Sequence, residues 1–204
     1  MKKGLFIVVD GIDGSGKSEM VKKLHNHFFS IDKKYRILTT REPTNGTYGK
    51  QIREMLRNEN DPLISGKKLT ELFVKDREEH LRTIEPFLDS SNEHEINIVL
   101  CDRYYYSTIA FQGAQGLDIK ELIEKNRKFR KPDIAFILDI EPSLALKRIE
   151  SRKKEKFEQL EFMKRIRFNF LNLPKLLQDN IKIIDSSRSL KGVFNDIIKE
   201  IGKL

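Results

Sequence analysis

Residues Gly11-Ile12-Asp13-Gly14-Ser15-Gly16-Lys17-Ser18 carry the spacing G-x-x-x-x-G-K-S. That spacing suits a loop whose backbone N–H groups converge on phosphate oxygens, because glycine lets the chain turn tightly with no side chain in the way. The lysine adds a charge for the β- and γ-phosphates, and the serine hydroxyl is a ligand for Mg2+. At ordinary glycine usage, a chance match in a chain of this size occurs on the order of once in a hundred. Asp102 closes an apolar run and stands where a second acid would hold Mg2+, acting through water. Taken alone, an aspartate at a strand end is as readily a helix cap. The phosphate loop in the same chain favours the metal role.

Arg41, Arg77, Arg103, Arg148 and Arg152 lie away from that loop, at expected strand ends, on facing helices or in a basic stretch. Moving a phosphoryl group onto an acceptor that is itself anionic requires cations on both partners. Simple hydrolysis needs no second anion site, so the set points to a phosphorylated acceptor. Each arginine singly is also explained by a surface ion pair. Phe73 and the Tyr104-Tyr105-Tyr106 run flank these arginines, while the other aromatics read mostly as core. His25, His27, His80 and His94 have no metal-binding spacing, and none is assigned a role.

The elements that must position these groups are visible in the hydrophobic pattern. Short apolar runs at residues 4–9, 35–40, 96–101, 133–139 and 181–184 read as buried strands of a parallel sheet. Helical periodicity covers 17–29, 48–57, 67–88, 104–112, 118–129 and 190–201. Pro86 is expected to kink or shorten the third of these, and Pro142 to stand near the start of a further helix. Residues 147–167 read as a dense charged stretch. Strands alternating with helices predict a three-layer α/β fold, with helices on both faces of the sheet. With no linker, repeat or low-complexity segment, 1–204 reads as one domain. Ligands in such sheets bind beyond the carboxyl ends of the strands, where 11–18, 41–42 and 102–103 fall.

A chain of 204 residues can bury a full core without a disulfide or metal staple. Its one cysteine, Cys101, excludes an intramolecular disulfide and any zinc site built on several cysteines. A reducing compartment, the cytoplasm, is the expected setting. No 18-residue apolar stretch occurs, so no membrane span is expected. The 39 basic and 31 acidic side chains give a net charge of +8, which favours anionic partners without choosing among nucleic acid, lipid and phosphorylated metabolites.

With these residues placed, the chain resembles the thymidylate kinase family over nearly its whole length. The carrying segments are Phe6 through Ser18, Thr40-Arg-Glu-Pro43, the Phe73-x-x-x-Arg77 pair within 72–80, Asp102-Arg-Tyr with the downstream Ser107 and Ala110-Phe-Gln112, and Lys131-Pro-Asp133. No short motif is decisive; their order is. The resemblance implies a P-loop kinase fold with a five-stranded parallel sheet and a short helical flap at about 147–157. It implies transfer of the γ-phosphoryl group of ATP, with Mg2+, to dTMP, in a homodimer that binds neither nucleic acid nor membrane.

By matching positions, Gly11 to Ser18 would hold ATP, with Lys17 on its phosphates and Ser18 and Asp102 on the metal. Asp13 would meet the acceptor 3′-OH, and Arg41 and Arg103 its phosphate. Phe73 would stack on thymine, Arg77 would reach its O4, and Ser107 and Thr108 would line the base pocket beside Gln112. Phe111 takes a position often held by tyrosine, which crowds a ribose 2′-OH. Arg148 and Arg152 match flap arginines that reach ATP. Because Gly14 stands where some relatives place an arginine, Arg152 is expected over the β/γ-phosphates, with Lys153 as substitute, and Arg148 nearer the adenine. Thr44-Asn45-Gly46-Thr47 departs from the Gly-Gly-Thr common after Arg-Glu-Pro, and Asp10 replaces a frequent glutamate. Two alternatives remain open on residues alone: a P-loop kinase with another acceptor, and a basic P-loop ATPase or nucleic-acid-binding module. Against the latter, the basic residues concentrate in one stretch interleaved with Glu150, Glu155, Glu158 and Glu161.

Overall fold

The computed structural model describes residues 4–58, 65–92, 94–149 and 156–204. Five strands, β1 (Leu5–Asp10), β2 (Tyr35–Arg41), β3 (Ile96–Asp102), β4 (Ile134–Asp139) and β5 (Ile181–Asp185), form one sheet in the order β2-β3-β1-β4-β5. Every pairing is parallel, as the continuous apolar runs predict. The helices are α1 (Lys17–Ile31), α2 (Thr47–Asn58), α3 (Gly66–Asp89), α4 (Tyr105–Ala114), α5 (Ile119–Asn126), α6 (Pro142–Arg148), α7 (Lys156–Leu176) and α8 (Leu190–Ile201).

Alternate residues of each strand feed two cores. Ile7, Val9, Ile98, Leu100 and Phe136 face α1 and α8, which contribute Met20, Leu24, Val193 and Ile197. Phe6, Val8, Val99, Cys101 and Ile137 face the other layer, built from α3, α4, α5 and α7. Helix α2 lies against α3 through Ile52, Leu69 and Leu72. Register brings the working ends together: Arg41 pairs with Asp102, Asp102 with Val9, and Asp10 with Ile137. Three strands therefore end at one edge carrying Arg41, Asp102 and Asp10.

Two stretches take fuller form in the structure. Helix α3 runs through Pro86 to Asp89 without being shortened. Pro86 sits in the last turn, where the lost N–H removes a single bond and Ile84 and Leu88 are buried on either side of it. The charged stretch 147–167 contains most of a long helix, α7, which buries Met163, Ile166, Phe170 and Leu173 along one face. Those spacings of three and four are helical, but charged neighbours outnumber them. Of the expected flap, residues 150–155 lie outside the described residues, and Arg152 and Lys153 with them. Among the described residues no helix is long and apolar enough to cross a membrane.

Phe136 is fully buried in β4. Phe136→Ala should cost about 3–5 kcal/mol, read as a lower urea midpoint with an unchanged m-value. A loss under about 1 kcal/mol would contradict this account of the core.

Candidate active site

The loop between β1 and α1 is shaped by close backbone approach. Gly11, at φ 140°, lies where a Cβ would come 2.6 Å from the Leu138 carbonyl oxygen, and Gly14, at φ 78°, where it would come 2.5 Å from that of Ala145. Ile12 is buried and plugs the loop into the core. The start of α1 points its free N–H groups at the loop's concave side, a ready anion site. Lys17 is 7% exposed and donates from Nζ to the Ile12 carbonyl at 2.8 Å. Burial, then the nearby Arg103 charge, push its pKa from 10.5 down to about 8, against the pull of Asp13, Asp10 and Asp102. The buried Ser15 hydroxyl has no partner among the described residues.

Ser18 Oγ donates to Asp102 Oδ2 at 2.7 Å, while Asp102 Oδ1 is buried and unpartnered among the described residues. One hydroxyl and one spare carboxylate oxygen suit Mg2+, which keeps most of its shell as water and substrate phosphate. The donor set therefore fits the expected metal, with Ser18 and Asp102 as the groups to hold it.

Beside this loop lies a cavity of about 360 Å3 lined by Asp13, Glu42, Pro43, Leu56, Phe73, Arg103, Tyr104, Ser107, Phe111 and Gln112. Its volume falls in the range of small-ligand sites. Six of the residues singled out for the acceptor meet here: Asp13, Phe73, Arg103, Ser107, Phe111 and Gln112. Phe73 and Phe111 give it apolar walls. Gln112 Oε1 is buried without a partner among the described residues, an acceptor left for a ligand donor.

Arg103 enters from an unusual backbone. Its φ of 72° is left-handed, a conformation that costs a residue with a side chain on the order of 1–3 kcal/mol. It is held by Arg103 N–H to the Val9 carbonyl at 3.0 Å and by the Cys101 thiol, which donates to the Arg103 carbonyl at 3.0 Å. The guanidinium then spans the gap between loop and cavity, donating to Ser107 Oγ at 2.8 Å, to the Gly11 carbonyl and to Asp13. It also lies 5.2 Å over the Phe111 ring. Around Asp13, desolvation raises the carboxyl pKa, but Arg103, Lys17 and Arg41 outweigh it and hold the value below the ordinary range.

Two buried acids organise this layout, and neither carries a role in the motif reading. Asp10 is fully buried and accepts from Gly11 N–H, Tyr104 N–H, Ser107 N–H and Ser107 Oγ at 2.7–3.1 Å. Burial raises its pKa despite Arg103 and these bonds. Glu42, 2% exposed, accepts from Arg77 Nε and Nη2 and faces His80 Nδ1 at 3.1 Å. Arg77 is therefore not a wall of the cavity. It lies one layer behind, wholly buried, with Thr108 Oγ1 and Asn126 Oδ1 as further acceptors. Thr108 is likewise behind the wall. The sequence signal for Asp10 is its place at the end of an apolar strand; Glu42 sits inside Arg-Glu-Pro, but nothing local marks its partners.

The remaining residues are more scattered. Arg41 is exposed at the end of β2 and reaches the site through its field on Asp13. Arg148 ends α6 and donates to the Ser186 and Ser187 carbonyls after β5, away from the cavity. The loop of Thr44, Asn45 and Gly46 is secured by Asp76, which accepts from Thr44 N–H and Oγ1, and by Arg53, which donates to the Pro43 and Thr44 carbonyls.

The family model for thymidylate kinase matches residues 9–197. A probable thymidylate kinase of Thermococcus kodakarensis is 38% identical over 209 residues, covering 98% of both chains. A thymidylate kinase of Desulfotalea psychrophila is 36% identical, covering 98% of this chain and 96% of its own. The chain belongs to the thymidylate kinase family. A further relative, the probable thymidylate kinase of Methanocaldococcus jannaschii, is 37% identical, with 97% and 96% covered. The five-stranded parallel sheet with helices on both faces is accordingly the P-loop kinase fold.

The depressed Lys17 value gives this thymidylate kinase family member a measurable signature. At about pH 8.5 the empty site holds Lys17 mostly neutral, and a polyphosphate set against it favours the charged form. Binding of Mg-ATP at that pH should take up about three-quarters of a proton, seen by calorimetry in buffers of different ionisation enthalpy. Lys17→Met should abolish the uptake, and its persistence in that variant would contradict the assignment. Linkage has the matching sign: the empty fold gains stability as pH rises from about 8 toward 10.5, where the unfolded chain still binds the proton.

Proposed function

We propose that the protein transfers the γ-phosphoryl group of ATP to dTMP, giving dTDP and ADP. One observation carries this reading. The cavity beside the phosphate loop pairs an aromatic wall, Phe73, with a guanidinium, Arg103, that faces both the cavity and the loop.

ATP would lie with its phosphates in the loop 11–18, where backbone N–H groups and Lys17 neutralise the oxygens. Mg2+, held by Ser18 and through Asp102, would supply charge stabilisation to those oxygens. The acceptor base would enter against Phe73, with the Gln112 and Ser107 side chains at its polar edges and Arg77 behind it. Arg103 and Arg41 would take the acceptor phosphate. For this Arg103 exchanges Asp13 for the phosphate, and Asp13 becomes free to accept from the 3′-OH. The exchange is favourable because the phosphate brings more charge and presents several oxygens to the guanidinium fork. Phe111 closes the cavity with an apolar ring near the sugar. Arg152, in the flap at 147–157, remains our choice for the cation over the transferring group, and Arg148 for the adenine side. The same reading makes the protein a cytoplasmic homodimer whose residues 1–204 are one domain.

An ADP-release assay across dTMP, dUMP, dCMP and dAMP tests the acceptor, with dTMP expected to be the best. Phe73→Ala should raise KM for dTMP by roughly 5- to 150-fold, the loss of about 1–3 kcal/mol of stacking, and leave KM for ATP within about threefold. Equal rises in both KM values would make Phe73 a packing residue instead.

A further inference from the structure

We infer that His80 is a positioning residue for acceptor recognition, acting through the Glu42 carboxylate that lines the cavity. The inference rests on the proposed activity and adds a residue to which the motif reading gives no role.

His80 lies on α3, 7% exposed, one turn beyond Arg77. Its Nδ1 lies 3.1 Å from Glu42 Oε1, and its Nε2 lies 2.6 Å from Thr40 Oγ1. An ionised carboxylate only accepts, so Nδ1 carries the hydrogen. Nε2 is then left to take the Thr40 hydroxyl hydrogen, which satisfies both ring nitrogens and fixes the ring plane. The imidazole thus ties α3 to Thr40 within β2 and to Glu42 just beyond it, on either side of Arg41.

What it fixes is the direction of the Glu42 carboxylate. Oε1 is turned to His80, and Oε2 receives both Arg77 Nε at 3.0 Å and Nη2 at 2.6 Å. Arg77 Nη2 also reaches Thr108 Oγ1 at 3.1 Å, and Nη1 reaches Asn126 Oδ1 at 2.5 Å. The guanidinium also lies over the Tyr104 and Phe129 rings, with centroids 5.1 and 5.4 Å away. Of the five N–H groups of an arginine, these contacts use four. One Nη1–H stays uncommitted among the described residues. Glu42 itself lines the acceptor cavity, and Tyr104 beside it does too. A pyrimidine entering the cavity therefore meets a wall whose polar pattern is set by how the Glu42 carboxylate is turned.

If His80 were simple filling, any polar group of similar size would serve. If it works through Nδ1–H, position matters. Asn places an amide N–H near Nδ1, facing Glu42; Gln places its amide near Nε2, facing Thr40. The experiment compares His80→Asn and His80→Gln in steady-state assays with dTMP and ATP varied. His80→Gln should raise KM for dTMP about tenfold, with KM for ATP unchanged. His80→Asn should keep KM for dTMP close to that of the parent. Equal behaviour of the two variants, or a matching rise in KM for ATP, would overturn the inference. Should either variant fail to fold, 15N spectra of the unaltered protein decide. The His80 resonances should show a protonated Nδ1 and shift on adding dTMP but not on adding ADP. Insensitivity to dTMP would overturn the inference. An unaltered protein that turned over no dTMP would instead overturn the proposed activity, and this inference with it.

Discussion

The buried carboxylate of Asp10 is the interaction on which the site depends. It ends the central strand with no access to water, a placement that is tolerable only because four donors converge on it. One donor belongs to the phosphate loop and three to the turn that opens α4. A single side chain therefore fixes the distance between the loop that would cradle the donor phosphates and the turn that carries Arg103. The left-handed backbone at Arg103 is the local cost of passing the chain beneath that carboxylate while aiming the guanidinium back across it.

A second buried acid, Glu42, does for the cavity what Asp10 does for the phosphate loop. Each acid lies beneath a cation, Arg103 for Asp10 and Arg77 for Glu42, and the peptide of Glu42 is tied to the Asp102 carbonyl by a 3.0 Å bond. Three adjacent strand ends thus place acids and bases side by side along one edge of the sheet. Charged groups out of water are held in single orientations, since each has few ways to satisfy its donors or acceptors. Preorganisation of this kind is what phosphoryl transfer asks of a protein, because the chemistry itself needs mainly alignment and compensation of charge.

All five strands are legible in the sequence because buried parallel strands are written as uninterrupted apolar runs, and the phosphate loop because its geometry admits so few residues. Helix α7 is not, since Met163, Ile166, Phe170 and Leu173 are diluted by the charged residues of its outer face. The cavity beside the phosphate loop is legible as a set of motifs, and the fold brings Asp13, Phe73, Arg103, Ser107, Phe111 and Gln112 to it. Arg77 shows the limit: its type and spacing mark it as important, but only the packing of α3 against α4 and α5 places it behind the wall. The Glu42–His80 contact is invisible in the chain because its partners are 38 residues apart and no local pattern pairs them.

The most direct measurement of this dependence is kcat at saturating ATP and dTMP for Asp10→Asn, in protein whose far-UV circular dichroism matches the parent. The amide keeps the shape of the carboxylate but turns an N–H2 toward N–H and O–H donors, so the loop and the Arg103 turn are forced out of register. A displacement near 1 Å in such an arrangement costs about 10²-fold, and a fall of that size is expected. Turnover within a few-fold of the parent would contradict the central role given to Asp10.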